Sequence, residues 1–157
     1  MSGQQSIVLF QVPVTGLPRT GLRSFARQLQ LQVTGQRGFT CLITDDSELQ
    51  RLNREFLRKN QPTDVLSFPA GGMAGIAGEI AISIDRARKQ AGELGHGLDE
   101  EIKILMLHGV LHLLGMDHEK DGGEMARAER KWRKYFGLPL GLIERAGRGA
   151  RRQKVLA

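Results

Sequence analysis

Apolar positions along the chain follow two different periods, which predict two kinds of secondary structure. Short apolar runs rich in branched side chains, typical of β-strands, cover residues 6–13, 38–44, 64–68 and 78–83. Apolar residues that recur every three or four positions, typical of helices, cover residues 18–33, 45–56, 84–94, 98–114 and 125–135. We therefore predict an α+β fold, in which a small mixed sheet of about four strands packs with helices.

The predicted helix over residues 98–114 changes character in its second half. Residues 104–114 are apolar almost all round apart from two histidines. A helix without a polar face belongs in the core of a domain, so we expect it to pack against the sheet. The two histidines are then expected at the floor of a cleft.

Residues 108–118, with the sequence HGVLHLLGMDH, contain three of the four histidines in the chain. His108 and His112 lie one helical turn apart, so their imidazoles project from the same face. On a continuous helix His118 would lie roughly 15 Å further along the axis, so the helix must end before it. Gly115 can adopt the left-handed conformation that ends a helix and turns the chain back.

Three histidine ligands leave one position of a tetrahedral zinc site for water, which is the catalytic arrangement rather than the structural one. We therefore predict one Zn²⁺ per chain, bound by His108, His112 and His118. The competing interpretation is that these are ordinary helix and loop histidines. In zinc peptidases a glutamate directly follows the first histidine and acts as general base. Gly109 holds that position here, which disfavours peptide hydrolysis and favours chemistry such as phosphodiester cleavage.

The histidine motif and two other segments carry a family resemblance. Together with PTDVLSFP at residues 62–69 and GEIAIS at residues 78–83, the motif resembles the YbeY family of bacterial endoribonucleases, also described as ribosomal-RNA maturation factors. The resemblance covers roughly residues 38–137. It implies a zincin-like metal helix followed by a glycine turn, and a zinc-dependent, single-strand-specific endoribonuclease. Small-subunit rRNA 3′-end maturation and ribosome quality control are the implied roles, with rRNA and the small ribosomal subunit and its proteins as partners.

One position departs from the family pattern. The family usually has an arginine five residues before the proline of PTDVLSF, where this chain has Leu57, followed by Arg58. Arg58 is our candidate for stabilising charge in the transition state, and Leu57 is expected to pack with the apolar stripe of its helix. Asp117 has two open interpretations, orientation of a ligand histidine or capping of the turn after Gly115.

The net charge of +6 is concentrated at the end of the chain. We assign residues 1–144 to one metallohydrolase domain, because 157 residues suffice for one core. Residues 145–157 contain no acidic residue and five basic ones, namely Arg145, Arg148, Arg151, Arg152 and Lys154. We predict that this basic tail is disordered when free. It either attracts RNA phosphates or is a solvated terminus that aids solubility.

Two basic patterns in the domain also have alternative interpretations. Arg19, Arg23 and Arg27 recur on one flank of the first predicted helix, where they either contact phosphate or form a solvated flank. Trp132 lies among four basic residues, a pattern compatible with base stacking. Its helical spacing with Met125 favours a place in the core instead.

The single cysteine, Cys41, lies in an apolar strand-like run and has no partner for an internal disulfide. No apolar stretch approaches the 18 or so residues of a membrane span, and no export signal is apparent. We therefore expect a cytoplasmic protein without a membrane segment. Two rival classes remain, a ribosome-assembly factor that binds RNA around a mainly structural zinc, and a zinc peptidase. No pattern in the chain indicates an oligomeric state.

Overall fold

The computed structural model describes residues 4–13, 15–59, 63–72 and 74–147. Within them four strands and five main helices follow one another in the order β1-α1-β2-α2-β3-β4-α3-α4-α5. The strands are β1 (Ile7–Phe10), β2 (Gly38–Thr44), β3 (Val65–Pro69) and β4 (Ile76–Ser83). The helices are α1 (Arg19–Gln32), α2 (Asp46–Leu57), α3 (Ile84–Leu94), α4 (Leu98–Leu113) and α5 (Glu124–Tyr135). A further short helical stretch covers residues 142–147. The predicted α+β class is confirmed.

The strands form one mixed sheet in the order β1-β2-β4-β3. β1, β2 and β4 are parallel, and β3 pairs with β4 in the antiparallel direction. β3 therefore lies at an edge, where Pro69 at its end is tolerated because an edge strand has one unpaired side. This arrangement leaves one face of β3 and β4 available for the histidine helix.

Helix α4 lies in the core, as its all-apolar second half predicts. From Ile104 to Leu111 each of its residues is buried, and it packs against β3 and β4 on one side. On its other sides it contacts α1, α3 and α5. The glutamate Glu101 and the histidine His108 are buried within this helix, so each needs a polar partner from a neighbouring element.

The opposite face of the sheet is covered by α2. Leu49 is buried against β3 and β4, whereas Phe56 is 63% exposed and contacts Phe68 with ring centroids 5.9 Å apart. The prediction that Leu57 packs is wrong, since its side chain is 43% exposed. The physical reason is that the helix ends at Leu57, where Arg58 adopts a left-handed conformation with φ 58°, so this residue no longer continues the apolar stripe.

The structure shows the surroundings of Trp132 and of the three arginines on α1, the two basic patterns with alternative interpretations. Trp132 packs against the core and stacks on Phe136 with ring centroids 6.0 Å apart, as the core interpretation predicts. The arginines of α1 are exposed, and the guanidinium of Arg19 lies 4.7 Å from the centre of the Phe10 ring. Cys41 is fully buried, and burial raises the pKa of its thiol to about 12.

The described fold continues beyond residue 144, where we placed the start of the basic tail. Arg145 lies in the short helical stretch and donates to both carboxylate oxygens of buried Glu101 on α4. The remaining tail, residues 148–157, lies outside the described residues, and so does Pro62 of the PTDVLSFP segment. Within the described ranges, no helix combines the length and the apolar character needed to cross a membrane.

Candidate metal centre

The three histidines of residues 108–118 meet at the end of helix α4. His108 and His112 project from its last two turns, and Gly115, with φ 88°, turns the chain back as predicted. The turn is fixed by backbone bonds from Gly115 N to His112 O and from Met116 N to Leu111 O. It brings His118 to the other two, so that one ligand nitrogen from each ring lies within 4.8 Å of the others.

The geometry of the first two rings fits a tetrahedral metal ion. The Nε2 atoms of His108 and His112 are 3.2 Å apart. Two nitrogens at roughly 2.0–2.1 Å from a tetrahedral zinc lie roughly 3.3 Å apart, so this pair already has ligand spacing. His118 is on an exposed turn, and its ligand nitrogen lies within 4.8 Å of those of the other two. This donor set, three imidazoles with an open fourth position, suits zinc.

The second nitrogen of each helix histidine is bound to an acceptor. His108 Nδ1 donates to a carboxylate oxygen of Glu129 at 2.7 Å, and His112 Nδ1 donates to the carbonyl of Met116 at 2.9 Å. An Nδ1–H bonded in this way leaves the lone pair on Nε2, which is the atom directed at the shared point. The glycine turn thus does two things, since it places His118 and supplies the carbonyl that orients His112.

The electrostatic environment favours the neutral form of His112. Burial lowers its pKa, and the neighbouring His108 lowers it further. A neutral imidazole is the form that ligates a metal.

Sequence reasoning missed Glu129, which is fully buried on α5 and orients His108. A signal was present: Glu129 follows Met125 by four residues and therefore lies on the apolar face of that helix. A carboxylate on a core-facing stripe requires a buried partner.

Asp117, in contrast, is a turn residue, because its Oδ1 accepts the backbone N–H of Glu119 at 3.0 Å. His96 lies apart from the centre, with its Nε2 2.7 Å from Glu101 Oε1.

Gly109 lies where α4 packs tightly against the sheet. A β-carbon at this position would lie 2.8 Å from Ile80 Cγ2 and 3.2 Å from Ser67 Oγ. Ser67 Oγ also donates to the Gly109 carbonyl at 3.0 Å. The glutamate of a zinc peptidase therefore has no room here, which gives the sequence difference a packing cause.

His108 and His112 form part of the wall of an open cavity of about 500 Å³. The opposite wall is the segment before and along β3, and its polar members are Thr63, Asp64 and Ser67. Asp64 is held in place by Gln90, whose Nε2 donates to it at 3.2 Å. The end of α2 also lines the cavity through Leu57 and Lys59, the two neighbours of Arg58. Arg58 itself is exposed at the helix end.

Residues 19–137 of the chain, which contain the histidine helix α4 and most of the cavity walls, match the endoribonuclease YbeY family. The chain belongs to this family. Its relatives include the endoribonuclease YbeY of Solibacter usitatus, 54% identical over 92% of this chain and 97% of the relative. The endoribonuclease YbeY of Koribacter versatilis is 46% identical over 93% and 95% of the two chains.

A solved structure has the same fold as this YbeY chain. The solution structure of TM1509 from Thermotoga maritima superposes with a TM-score of 0.57 at 25% sequence identity. The match covers 82% of this chain and 86% of the other. The predicted family membership is confirmed by the family match and by these relatives. The motif PTDVLSF acquires a location, because its residues 63–67 line the same cavity as His108 and His112.

Proposed function

We propose that this YbeY family member is a zinc-dependent endoribonuclease that cleaves single-stranded RNA. The observation that carries the proposal is the juxtaposition of three histidine nitrogens with an open cavity that has room for a substrate. Membership of a family whose relatives are named endoribonucleases supports RNA as the substrate. When bound, zinc would activate a water molecule near neutral pH and polarise a phosphoryl oxygen.

The residues of the chain have separate parts in this proposal. His108, His112 and His118 would hold the ion, while Glu129 and the Met116 carbonyl fix the two helix rings. The mixed polar and apolar walls of the cavity would hold the ribose–phosphate chain next to the centre. The absence of a side chain at Gly109 supports phosphodiester cleavage rather than peptide hydrolysis.

We propose Arg58 as the residue that stabilises charge developing on the phosphate. It stands at the end of α2, and both of its sequence neighbours line the cavity. Lys59, a second cation at the same helix end, lines the cavity directly and is the comparison residue for any test. Positive charge aimed at the transition state is the largest single contribution available to a site of this kind.

The biological role we propose is maturation of the small-subunit rRNA 3′ end and ribosome quality control, with the small ribosomal subunit and its proteins as partners. The resemblance of the histidine and PTDVLSF motifs to the family supports this role. We further propose that the residues after 147 contribute phosphate contacts, and that the protein works in the cytoplasm. The buried, reduced state of Cys41 is compatible with that compartment.

The proposal is tested with metal-replete protein, a defined single-stranded RNA, and the same RNA in duplex form. We expect cleavage of the single strand by the wild-type protein and none by His112→Ala. His96→Gln removes a histidine outside the centre and keeps a donor for Glu101, so it serves as the matched control and should cleave normally. RNA binding without cleavage by the wild-type protein would favour the alternative of an assembly factor with a structural zinc. Casein in parallel tests the peptidase alternative.

Zinc itself is tested by elemental analysis of protein expressed in zinc-replete medium. We expect one zinc per chain in the wild-type protein and a clear reduction in His112→Ala. A wild-type preparation that contains no zinc but binds another metal would contradict the choice of ion, and one without any metal would contradict the centre.

A further inference from the structure

The chain that follows α5 returns to the back of the metal centre. Gly141 is buried, and the short helical stretch over residues 142–147 begins directly after it. We infer that residues 141–145, which we call the C-terminal brace, position the metal ligand His108 through Glu129. This inference rests on the proposed function only in requiring that His108 binds a metal ion.

Glu129 connects the brace to the ligand. One carboxylate oxygen, Oε2, accepts from His108 Nδ1 at 2.7 Å, and the other, Oε1, accepts from the backbone N–H of Ile143 at 2.8 Å. The carboxylate is fully buried, so each oxygen depends on a protein donor rather than on bulk water. With one oxygen held by the brace, the other has a fixed direction, and the His108 ring is fixed with it.

Gly141 leaves the space that this carboxylate occupies. A β-carbon at position 141 would lie 2.2 Å from Glu129 Oε1 and 2.6 Å from Glu129 Cδ. The glycine is not required by its backbone, because its φ is outside the left-handed region that favours glycine. It is required by the position of Glu129, and any larger residue would displace the carboxylate from both of its donors.

Two ion pairs hold the brace against the helices on either side of the carboxylate. Glu144 accepts from Arg133 of α5, with Nε–Oε1 at 2.7 Å and Nη2–Oε2 at 3.1 Å. Arg145 donates to both oxygens of Glu101, which is fully buried on α4 about two turns before His108. The brace is thus tied to the metal helix and to the helix that carries Glu129.

The distinguishing variant is Gly141→Ala in the full-length protein, with Gly147→Ala as the matched control. A β-carbon at Gly147 meets nothing within 4 Å, so the control adds the same methyl group without a clash. The measurements are the zinc dissociation constant by chelator competition, the visible absorption of the Co²⁺-substituted protein, and unfolding in urea without metal. We expect Gly141→Ala to bind zinc 10–100-fold more weakly and to show an altered Co²⁺ spectrum, as is found when the partner of a ligand histidine is disturbed.

A second variant, Ile143→Pro, removes the N–H that holds Glu129 Oε1. Proline is tolerated in the first turn of a helix. Its Cδ replaces the N–H that faces Glu129 Oε1, so the variant removes the hydrogen bond and crowds the same oxygen. Weaker zinc binding in either variant, with folding retained, supports the brace. Lower stability in urea with unchanged zinc affinity and Co²⁺ spectrum would overturn it, since the segment would then only stabilise the fold. Wild-type protein that binds zinc and cleaves no RNA would contradict the proposed function and leave this inference standing.

Discussion

Gly109 directly follows His108 and faces the sheet, and the contact distances there predict the effect of a single methyl group. Gly109→Ala would place a β-carbon 2.8 Å from Ile80 Cγ2, in a part of the core without spare volume. We expect a loss of about 1–3 kcal/mol in the free energy of unfolding, typical of overpacking.

The matched comparison is Gly92→Ala on α3, where a β-carbon meets nothing within 4 Å. Alanine there should stabilise the protein by roughly 0.5–1 kcal/mol, because it restricts the unfolded chain and favours the helix. Urea unfolding of both variants measures whether each substitution lowers or raises the free energy of unfolding. Equal effects at the two positions would contradict the packing account of Gly109.

Arg58 and Lys59 allow a second test on neighbouring residues. If Arg58 stabilises the transition state, Arg58→Ala should reduce RNA cleavage by roughly 10²–10³ while zinc content and stability remain. Alanine keeps an L-residue at the left-handed position, so the backbone strain at this helix end is unchanged. Lys59→Ala is the comparison. If Lys59→Ala shows the large loss and Arg58→Ala does not, the assignment to Arg58 is wrong and the cation that lines the cavity replaces it.

At the level of elements, the start of α5 depends on one half-buried carboxylate. Asp121 accepts the backbone N–H of Met125 and that of Gly123, both at 2.9 Å, and these bonds hold the pKa of its carboxyl below the usual range. The ionised form is therefore favoured in the folded protein. Its stabilisation is complete above the unfolded pKa of roughly 3.9 and disappears as the pH falls through the lowered folded value.

We therefore expect Asp121→Asn to melt at a lower temperature than the wild-type protein at pH 7. The difference should shrink below roughly pH 4 and vanish at lower pH, where the wild-type carboxyl is also protonated. Glu119→Gln changes an exposed carboxylate in the same turn and serves as the control for net charge. A wild-type advantage that persists unchanged into acid would show that ionisation of Asp121 does not stabilise α5.

The elements that the sequence predicts well are those built from neighbouring residues. The histidines and Gly115 lie within eleven consecutive residues, so helical geometry and one glycine turn sufficed to bring the three rings together. Glu129 and Ile143 act through contacts across 21 and 14 residues, and the Arg145–Glu101 pair spans 44. The spacing of apolar residues within one helix or strand does not predict such long-range contacts. Arg145 was assigned to the tail for this reason, because its buried partner is invisible from its own sequence neighbourhood.

At the scale of the whole molecule, the position of Arg145 decides where the tail can be removed. Truncation after Glu144 would leave Glu101 buried without its bidentate partner, so a loss of function would have two explanations. Truncation after Gly147 removes four cations and keeps the brace. We expect it to reduce the salt slope of single-stranded RNA binding by up to about 2.8, or roughly 0.7 per phosphate contact, without loss of zinc. An unchanged slope would assign these residues to a solvated terminus.

The short spacing of the histidines also affects how zinc binding relates to folding. Because the three proposed ligands lie in one eleven-residue stretch, we expect the denatured chain to keep part of its capacity to chelate the ion. A ligand stabilises a fold only by the difference between its affinities for the native and the denatured states. Zinc should therefore raise the melting temperature by less than its total affinity implies. The rise in melting temperature that zinc still causes reflects mainly what the denatured chain lacks, namely the fixed orientation of the His108 and His112 rings.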